Sequence, residues 1–147
     1  MKAMRPDETD WKIIDRLRQE YVGNTVLARE LGVSEGAIRQ RLKRLKESGV
    51  LKITAQIDPE VLDNQQLALI AINVGEAALL QAKATEVSAL DKVLSVAIVT
   101  GRYDLMAEIL VDSNHGLVDF LACELSQVQG ITTTESFLLL KSFGKYV

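Results

Sequence analysis

Residues 24–48 read NTVLARELGVSEGAIRQRLKRLKES, and this stretch decides the front of the fold. Its pattern predicts two short helices with a tight turn between them. The first runs over about 24–31 and stops at Gly32, because glycine takes the left-handed cap conformation at no steric cost. Val33 plugs the corner, and Ser34 offers an oxygen to cap the second helix. Ile38, Leu42 and Leu45 then recur at i, i+4 and i+7 and form one buried stripe. A helix, a glycine-containing turn and a helix make a helix-turn-helix, whose second helix can enter a DNA major groove.

The charge on that second helix points the same way. Gly36, Gln40, Lys43 and Glu47 lie opposite the apolar stripe, with Arg39, Arg41, Arg44 and Lys46 on its flanks. Gly36 lets backbone approach closely, and Gln40 can pair bidentately with adenine. The arginines can reach guanine or phosphate. The competing reading is a solvated basic face, against which the turn and cap signals weigh. Ser34, Gly36, Arg39, Gln40, Lys43 and Arg44 are therefore the expected DNA-binding residues, with Arg41 or Arg44 on phosphates.

A net charge of −3 suits a DNA binder poorly until the chain is divided. Residues 1–56 carry 12 Lys/Arg against 8 Asp/Glu, whereas residues 57–147 carry 5 against 12. One basic and one acidic part is the asymmetry expected when one of them binds nucleic acid. It places a helix-turn-helix domain at 1–56, a hinge at 57–65 around Asp58-Pro59, and a second domain at 66–147. Apolar content of 48% is ample for a core. The chain has no apolar run long enough to span a membrane and no secretory leader, so a cytoplasmic location is expected. The single cysteine, Cys123, excludes an intramolecular disulfide and reads as an inert core residue of a helix.

Ahead of the helix-turn-helix, residues 1–6 read as a loose end. Asp7, Thr9 or Asp10 caps a helix to about Glu20, burying Ile13, Ile14 and Leu17 with Trp11 or Tyr21 at the edges. After it, Leu51, Ile53, Ala55 and Ile57 alternate with polar residues, which predicts a wing or a linker strand. The second domain reads strand 67–74, helix 76–90, strand 93–99, turn 101–104, strand 105–111, a helix capped by Ser113 or Asn114 and ended by Gly130, and a strand from 131 to about 143. The order β-α-β-β-α-β is the ferredoxin-like arrangement, so the fold class is α+β. Right-handed crossovers put both helices on one face. Yet strands 67–74 and 93–99 and the run Phe137-Leu138-Leu139-Leu140 are apolar on both faces. Cover for the other face is expected from a second copy, a homodimer that presents two reading helices. The alternative is cover by the linker strand or the first domain.

The ordered set of motifs resembles the Lrp/AsnC, or feast/famine, family of transcriptional regulators. It comprises Asp7-x-x-Asp10-x-Lys12-Ile13-Ile14-x-x-Leu17, Leu27-Ala28-x-x-Leu31-Gly32-Val33-Ser34 and Arg41-x-Lys43-Arg44-Leu45-x-x-x-Gly49-Val50-Leu51, followed by Asp58-Pro59 and Val99-Thr100-Gly101-Arg102-Tyr103-Asp104. The resemblance implies a winged helix-turn-helix domain joined to a ferredoxin-like effector domain. It also implies dimers through the sheets, often assembled to octamers, with an amino-acid effector between dimers. Gly101, Tyr103 and Asp104 carry over as effector-binding, and part of the last strand can contribute from a neighbouring subunit, with Thr132, Thr134 and Ser136 as the weaker candidates. Pro6, Val26, Ile53 and the residue before Gly130 depart from the family's pattern, which leaves helix ends and linker geometry open. Arg102 can narrow the effector range.

The turn is chemically suited to that role. Gly101 exposes amides that can hold a carboxylate, Asp104 can accept from an ammonium group, and Tyr103 can pack on a side chain. Spacing alone equally describes an ordinary hairpin turn. An enzyme is not expected: the one histidine, His115, has no metal-ligand spacing, and no nucleophile elbow or phosphate loop is present. The rival enzymatic reading is a tetrapyrrole decarboxylase, and such a chain should carry further histidines. A second rival is an architectural DNA-wrapping protein without an effector, and a third is an effector module with a vestigial first domain. No cofactor or metal is expected.

Overall fold

The computed structural model describes residues 4–147, the side chain of Asn114 excepted. It divides into two compact units between Ala55 and Gln56. Of the loose end expected over 1–6, residues 1–3 lie outside the described residues and 4–6 carry no regular element.

The first unit is three helices: α1 (Glu8–Gln19), α2 (Asn24–Leu31) and α3 (Glu35–Glu47). Asp7 caps α1 through a reciprocal box: Asp10 N–H donates to Asp7 Oδ1 at 2.9 Å, and Asp7 N–H donates to Asp10 Oδ2 at 3.0 Å. Gly32 ends α2 at φ +66°. Ser34 Oγ accepts Ala37 N–H at 3.1 Å and starts α3. Ile13, Leu27, Ala28, Ile38 and Leu42 form the core, with Leu17, Val22, Leu31, Val33 and Leu51 packed around it. Each fully buried Leu or Ile contributes about 1.5–3 kcal/mol. Two polar ties join the helices at the surface, Arg16 Nε to Glu30 at 2.9 Å and Thr25 Oγ1 to Glu35 at 3.1 Å.

The strand expected over 51–57 is not formed. The segment has the alternation, but a strand needs a ladder partner. Only Ile57 finds one, exchanging both backbone hydrogen bonds with Val147 at 2.9 and 3.0 Å. The hinge residues belong to the second unit, where Asp58 Oδ1 caps a 3-10 turn at Pro59–Val61.

The second unit is β1 (Gln65–Val74), α4 (Leu80–Ser88), β2 (Val93–Ile98), β3 (Leu105–Asp112), α5 (Ser113–Asp119) and β4 (Ile131–Leu138). All pairings are antiparallel in the order β2-β3-β1-β4, as the ferredoxin-like reading requires. Ala68, Ile70 and Ile72 of β1 and Leu105, Ala107, Ile109 and Val111 of β3 meet Val87, Phe120 and Leu125 in the core.

Five details differ from expectation. The helix read over 76–90 begins as a 3-10 turn, Ala77–Leu79, before α4. The last helix is broken: α5 passes into a π turn at Phe120–Glu124 and a 3-10 turn at Leu125–Gln127. Asp112, without a side-chain bond, stands at its N-cap, and Ser113 is the first helical residue, at φ +65°. The wider π turn shifts the helix phase, and Cys123 is exposed instead of buried. Finally, β4 stops at Leu138, opposite Ala68, short of the expected end near 143, although Leu139 N–H still donates to Leu67 O at 3.0 Å.

The sheet face away from the helices is partly covered by the chain's own C-terminal segment. Lys145 Nζ pairs there with Glu108 at 2.7 Å. Phe137 remains 42% exposed on that face, in register with Leu69.

Candidate nucleic-acid interface and effector loop

Helix α3 presents its polar side as one continuous strip. Gly36, Arg39, Gln40 and Lys43 are all exposed. A Cβ at Gly36 would meet nothing nearer than Ser34 Oγ at 4.0 Å, so this strip is open to a ligand. Arg39 lies 3.1 Å from Glu35 and Lys43 lies 3.8 Å from Glu47, both as exposed i,i+4 pairs. Such pairs are worth a few tenths of a kcal/mol, so both cations remain available.

Arg41 and Arg44, expected on phosphates, are placed differently: both pair with carboxylates within the first unit. Arg41 Nη1 donates to Asp7 Oδ2 at 2.6 Å and to Asp10 Oδ1 at 2.8 Å. Arg44 Nη2 donates to Asp10 Oδ2 at 2.5 Å. Asp10 is fully buried, so it needs these partners. The hydrogen bond from Arg41 holds the Asp7 carboxyl below the usual carboxylate range. Two acids, the N-cap Asp7 and Asp10 of α1, thus pair with two cations of α3 and tie the two helices together. Sequence reading placed Asp7 and Asp10 in the cap alone; their i,i+3 spacing signals a capping box and says nothing of a partner 34 residues away.

In the second unit, the segment between β2 and β3 forms a tight loop. Gly101 sits at φ +124°, which a side chain rarely adopts. Asp104 N–H donates to Ile72 O at 3.0 Å, and Asp104 Oδ2 accepts Val74 N–H at 2.8 Å. One carboxylate oxygen of Asp104 is therefore engaged in fastening the loop to β1. Tyr103 Oη donates to Glu135 of β4, a residue the sequence reading did not single out. Alternation along β4 could have pointed to it once the register was known.

The three candidates on β4 do not gather beside that loop. Thr134 and Ser136 lie opposite Ile72 and Ile70, whose side chains face the helices, whereas Glu135 lies opposite Ala71 on the other face. Thr132 Oγ1 donates to Asn73 O at 3.1 Å. Thr132 and Thr134 line a cavity of about 210 Å3 with Leu121, Leu125, Val128 and Ile131 on the helix side. The loop and the β4 hydroxyls are two places within one protomer. His115 is exposed, and the described residues contain no cluster of potential metal ligands. No helix among the described residues is long and apolar enough to cross a membrane.

Comparison with known proteins then decides the assignment. The profile of the Lrp/AsnC ligand binding domain matches residues 67–146, and that of a winged helix-turn-helix DNA-binding domain matches residues 6–52. This chain belongs to the Lrp/AsnC family. It is a transcriptional regulator with a helix-turn-helix DNA-binding unit and a ligand-binding domain. Among Lrp/AsnC relatives, it is 33% identical to the HTH-type transcriptional regulator FL11 of Pyrococcus horikoshii, over 92% of this chain and 90% of that one. It is 27% identical to the regulator Ptr1 of Methanocaldococcus jannaschii, over 80% and 79%. The leucine response regulatory protein LrpA of Mycobacterium tuberculosis has the same fold, with a TM-score of 0.79 at 24% identity, covering 95% and 96%. So does a Neisseria meningitidis transcriptional regulator solved as a complex with L-Met, with a TM-score of 0.69 at 24% identity, covering 96% and 94%.

Proposed function

We propose that the chain is a sequence-specific, DNA-binding transcriptional regulator that responds to a small effector, an amino acid. The observation that carries the reading is the exposed strip of α3, where a glycine, a glutamine and two available cations stand in a row above a rigid three-helix core. Ser34 fixes the start of the helix, and Gly36, Arg39, Gln40 and Lys43 approach base edges in the major groove. Arg44, tied to Asp10, positions the helix and reaches phosphate only with its exposed edge.

An amino acid suits the loop at Gly101 to Asp104. Backbone amides at Gly101 can receive a carboxylate, and the second oxygen of Asp104, with Glu135 beyond Tyr103, can receive an ammonium group. The Neisseria neighbour bound to L-Met supports this ligand class. The partly uncovered sheet face around Phe137 supports assembly as a homodimer, with octamers built from dimers and effector bound between them. The reading places the protein in the cytoplasm, with double-stranded DNA as its partner and no catalytic role.

The test is a thermal-shift screen of the purified chain against the twenty amino acids, paired with duplex selection from a random pool. Stabilisation by one amino acid, and recovery of a common sequence motif whose definition blurs in Gln40→Ala, is the expected result. No stabilisation by any of the twenty would instead favour a DNA-organising protein that senses none of them. Selection without any enriched motif would overturn sequence-specific binding.

A further inference from the structure

The flank of α3 is closed by an anion from the N-cap of α1, in a place where a phosphate would be welcome. Asp7 uses its two carboxylate oxygens for separate purposes. Oδ1 accepts the N–H of Asp10 and caps α1 at 2.9 Å. Oδ2 takes no part in the cap; it accepts from Arg41 Nη1 at 2.6 Å and lies 3.8 Å from Arg44 Nη2. It thus sits in the fork between two guanidinium groups. Asp10 does not need it there, since this buried carboxylate already receives Arg41, Arg44 and the N–H of Asp7.

The fork is reachable from outside. The side chain of Asp7 is 50% exposed, as is that of Arg44, and Arg41 is 29% exposed. Arg41 and Arg44, with Ala37 and Gln40, line an open cavity of about 250 Å3 on the flank of α3. Gln40 is shared between this cavity and the exposed strip. A duplex docked on that strip brings its backbone phosphates to this flank.

We propose that Asp7 acts as an internal stand-in for a DNA phosphate and so holds down the phosphate-driven affinity of the first unit for duplex DNA. In the free protein its Oδ2 occupies the Arg41–Arg44 fork. On DNA a phosphate oxygen displaces it, so each phosphate contact made there is opposed by the loss of an ion pair within the protein. The device holds down binding to arbitrary sequences, where phosphate contacts supply nearly all the affinity. It leaves base-edge contacts untouched and acts on the sequence-independent electrostatic share of the affinity, and so on its salt dependence. This inference rests on the DNA-binding reading above.

The test uses the full chain and a fluorescent duplex of scrambled sequence, with affinity measured across a series of salt concentrations. Asp7→Asn and Asp7→Ser both keep a good N-cap and remove the charge. Both variants should bind this duplex more tightly than the wild type. Their slope of log affinity against log salt should steepen by about 0.9 for each guanidinium freed. Adding Arg41→Gln to Asp7→Asn should cancel the gain. A purely structural Asp7 predicts the opposite sign or no change in slope, so folded variants with an unchanged or shallower slope overturn the proposal alone. Absence of duplex binding by wild type and variants alike overturns the DNA-binding reading and this proposal with it.

Discussion

Asp104 Oδ2 accepts the backbone N–H of Val74 at 2.8 Å, so the loop after β2 is fastened to the last residue of β1. An aspartate in a candidate binding loop is therefore also part of the fold. The two roles separate by substitution. Asp104→Ala leaves a part-buried N–H without its acceptor and should cost about 1–3 kcal/mol in urea denaturation. Asp104→Asn keeps an acceptor and should lose much less. If Asp104 also receives an effector's ammonium group, Asp104→Asn should still lose the amino-acid thermal shift. A full thermal shift in Asp104→Asn would remove the residue from the binding site.

Arg44 should behave as a stability residue before it behaves as a DNA ligand. Arg44→Ala leaves the buried Asp10 with Arg41 as its only guanidinium partner. The expected loss is about 1–3 kcal/mol, less than for a wholly buried pair because Arg44 is half exposed. Trp11 is the chain's single tryptophan and lies in α1, so its fluorescence reports the unfolding of the first unit directly. An unchanged urea midpoint by this probe would show that the ion pair carries no stability.

The two units should respond to opposite extremes of pH. Hydrogen bonding from Arg41 lowers the pKa of Asp7, and hydrogen bonding from Lys12 lowers that of Glu8. Their stabilisation is complete above the unfolded carboxylate range and is lost as pH falls through the lowered values, below about pH 4. In the second unit, the Glu124 carboxylate at 2.5 Å raises the pKa of Lys92. That contribution is complete below about pH 10 and is lost as pH rises through the raised value. Trp11 fluorescence should therefore record an acid-labile first unit. In alkali the urea midpoint read from the sheet signal in circular dichroism should fall slightly, and Lys92→Gln should remove that Lys92-dependent part of the fall.

Phe137 lies on the sheet face away from the helices and opposite Leu69. A charge placed there is buried if that face packs against a second copy. Phe137→Asp should convert an associated wild type into a monomer by light scattering, with little change in far-ultraviolet circular dichroism. Equal masses for wild type and variant would exclude this face from the interface.

The reading head was legible because its signals are local. Gly32 and Ser34 set the turn through their own backbone and side chain, and the stripe of Ile38, Leu42 and Leu45 needs only the helical period. The β-α-β-β-α-β order was legible for the same reason. Other features escaped because they depend on a partner. Residues 51–57 have a strand's alternation and no ladder beyond Ile57. Cys123 is at the surface because the π turn at Phe120–Glu124 changes the helix phase, which an assumed period of 3.6 does not foresee. Alternation alone parts Thr134 and Ser136 from Glu135, but only the register against β1 shows that the hydroxyls face the helices and Glu135 the other side.

By itself the sequence determined the helix-turn-helix, the order of the elements in the second unit, and the division into a basic first part and an acidic second part. Periodicity, caps and charge counts are properties of neighbouring residues. Only the tertiary structure decided that Asp7 and Asp10 engage Arg41 and Arg44, that Asp104 secures β1, and that Lys145 returns to Glu108. Each of these joins residues 30 to 37 positions apart, and the free energy of an ion pair or hydrogen bond depends on a distance that spacing along the chain does not fix.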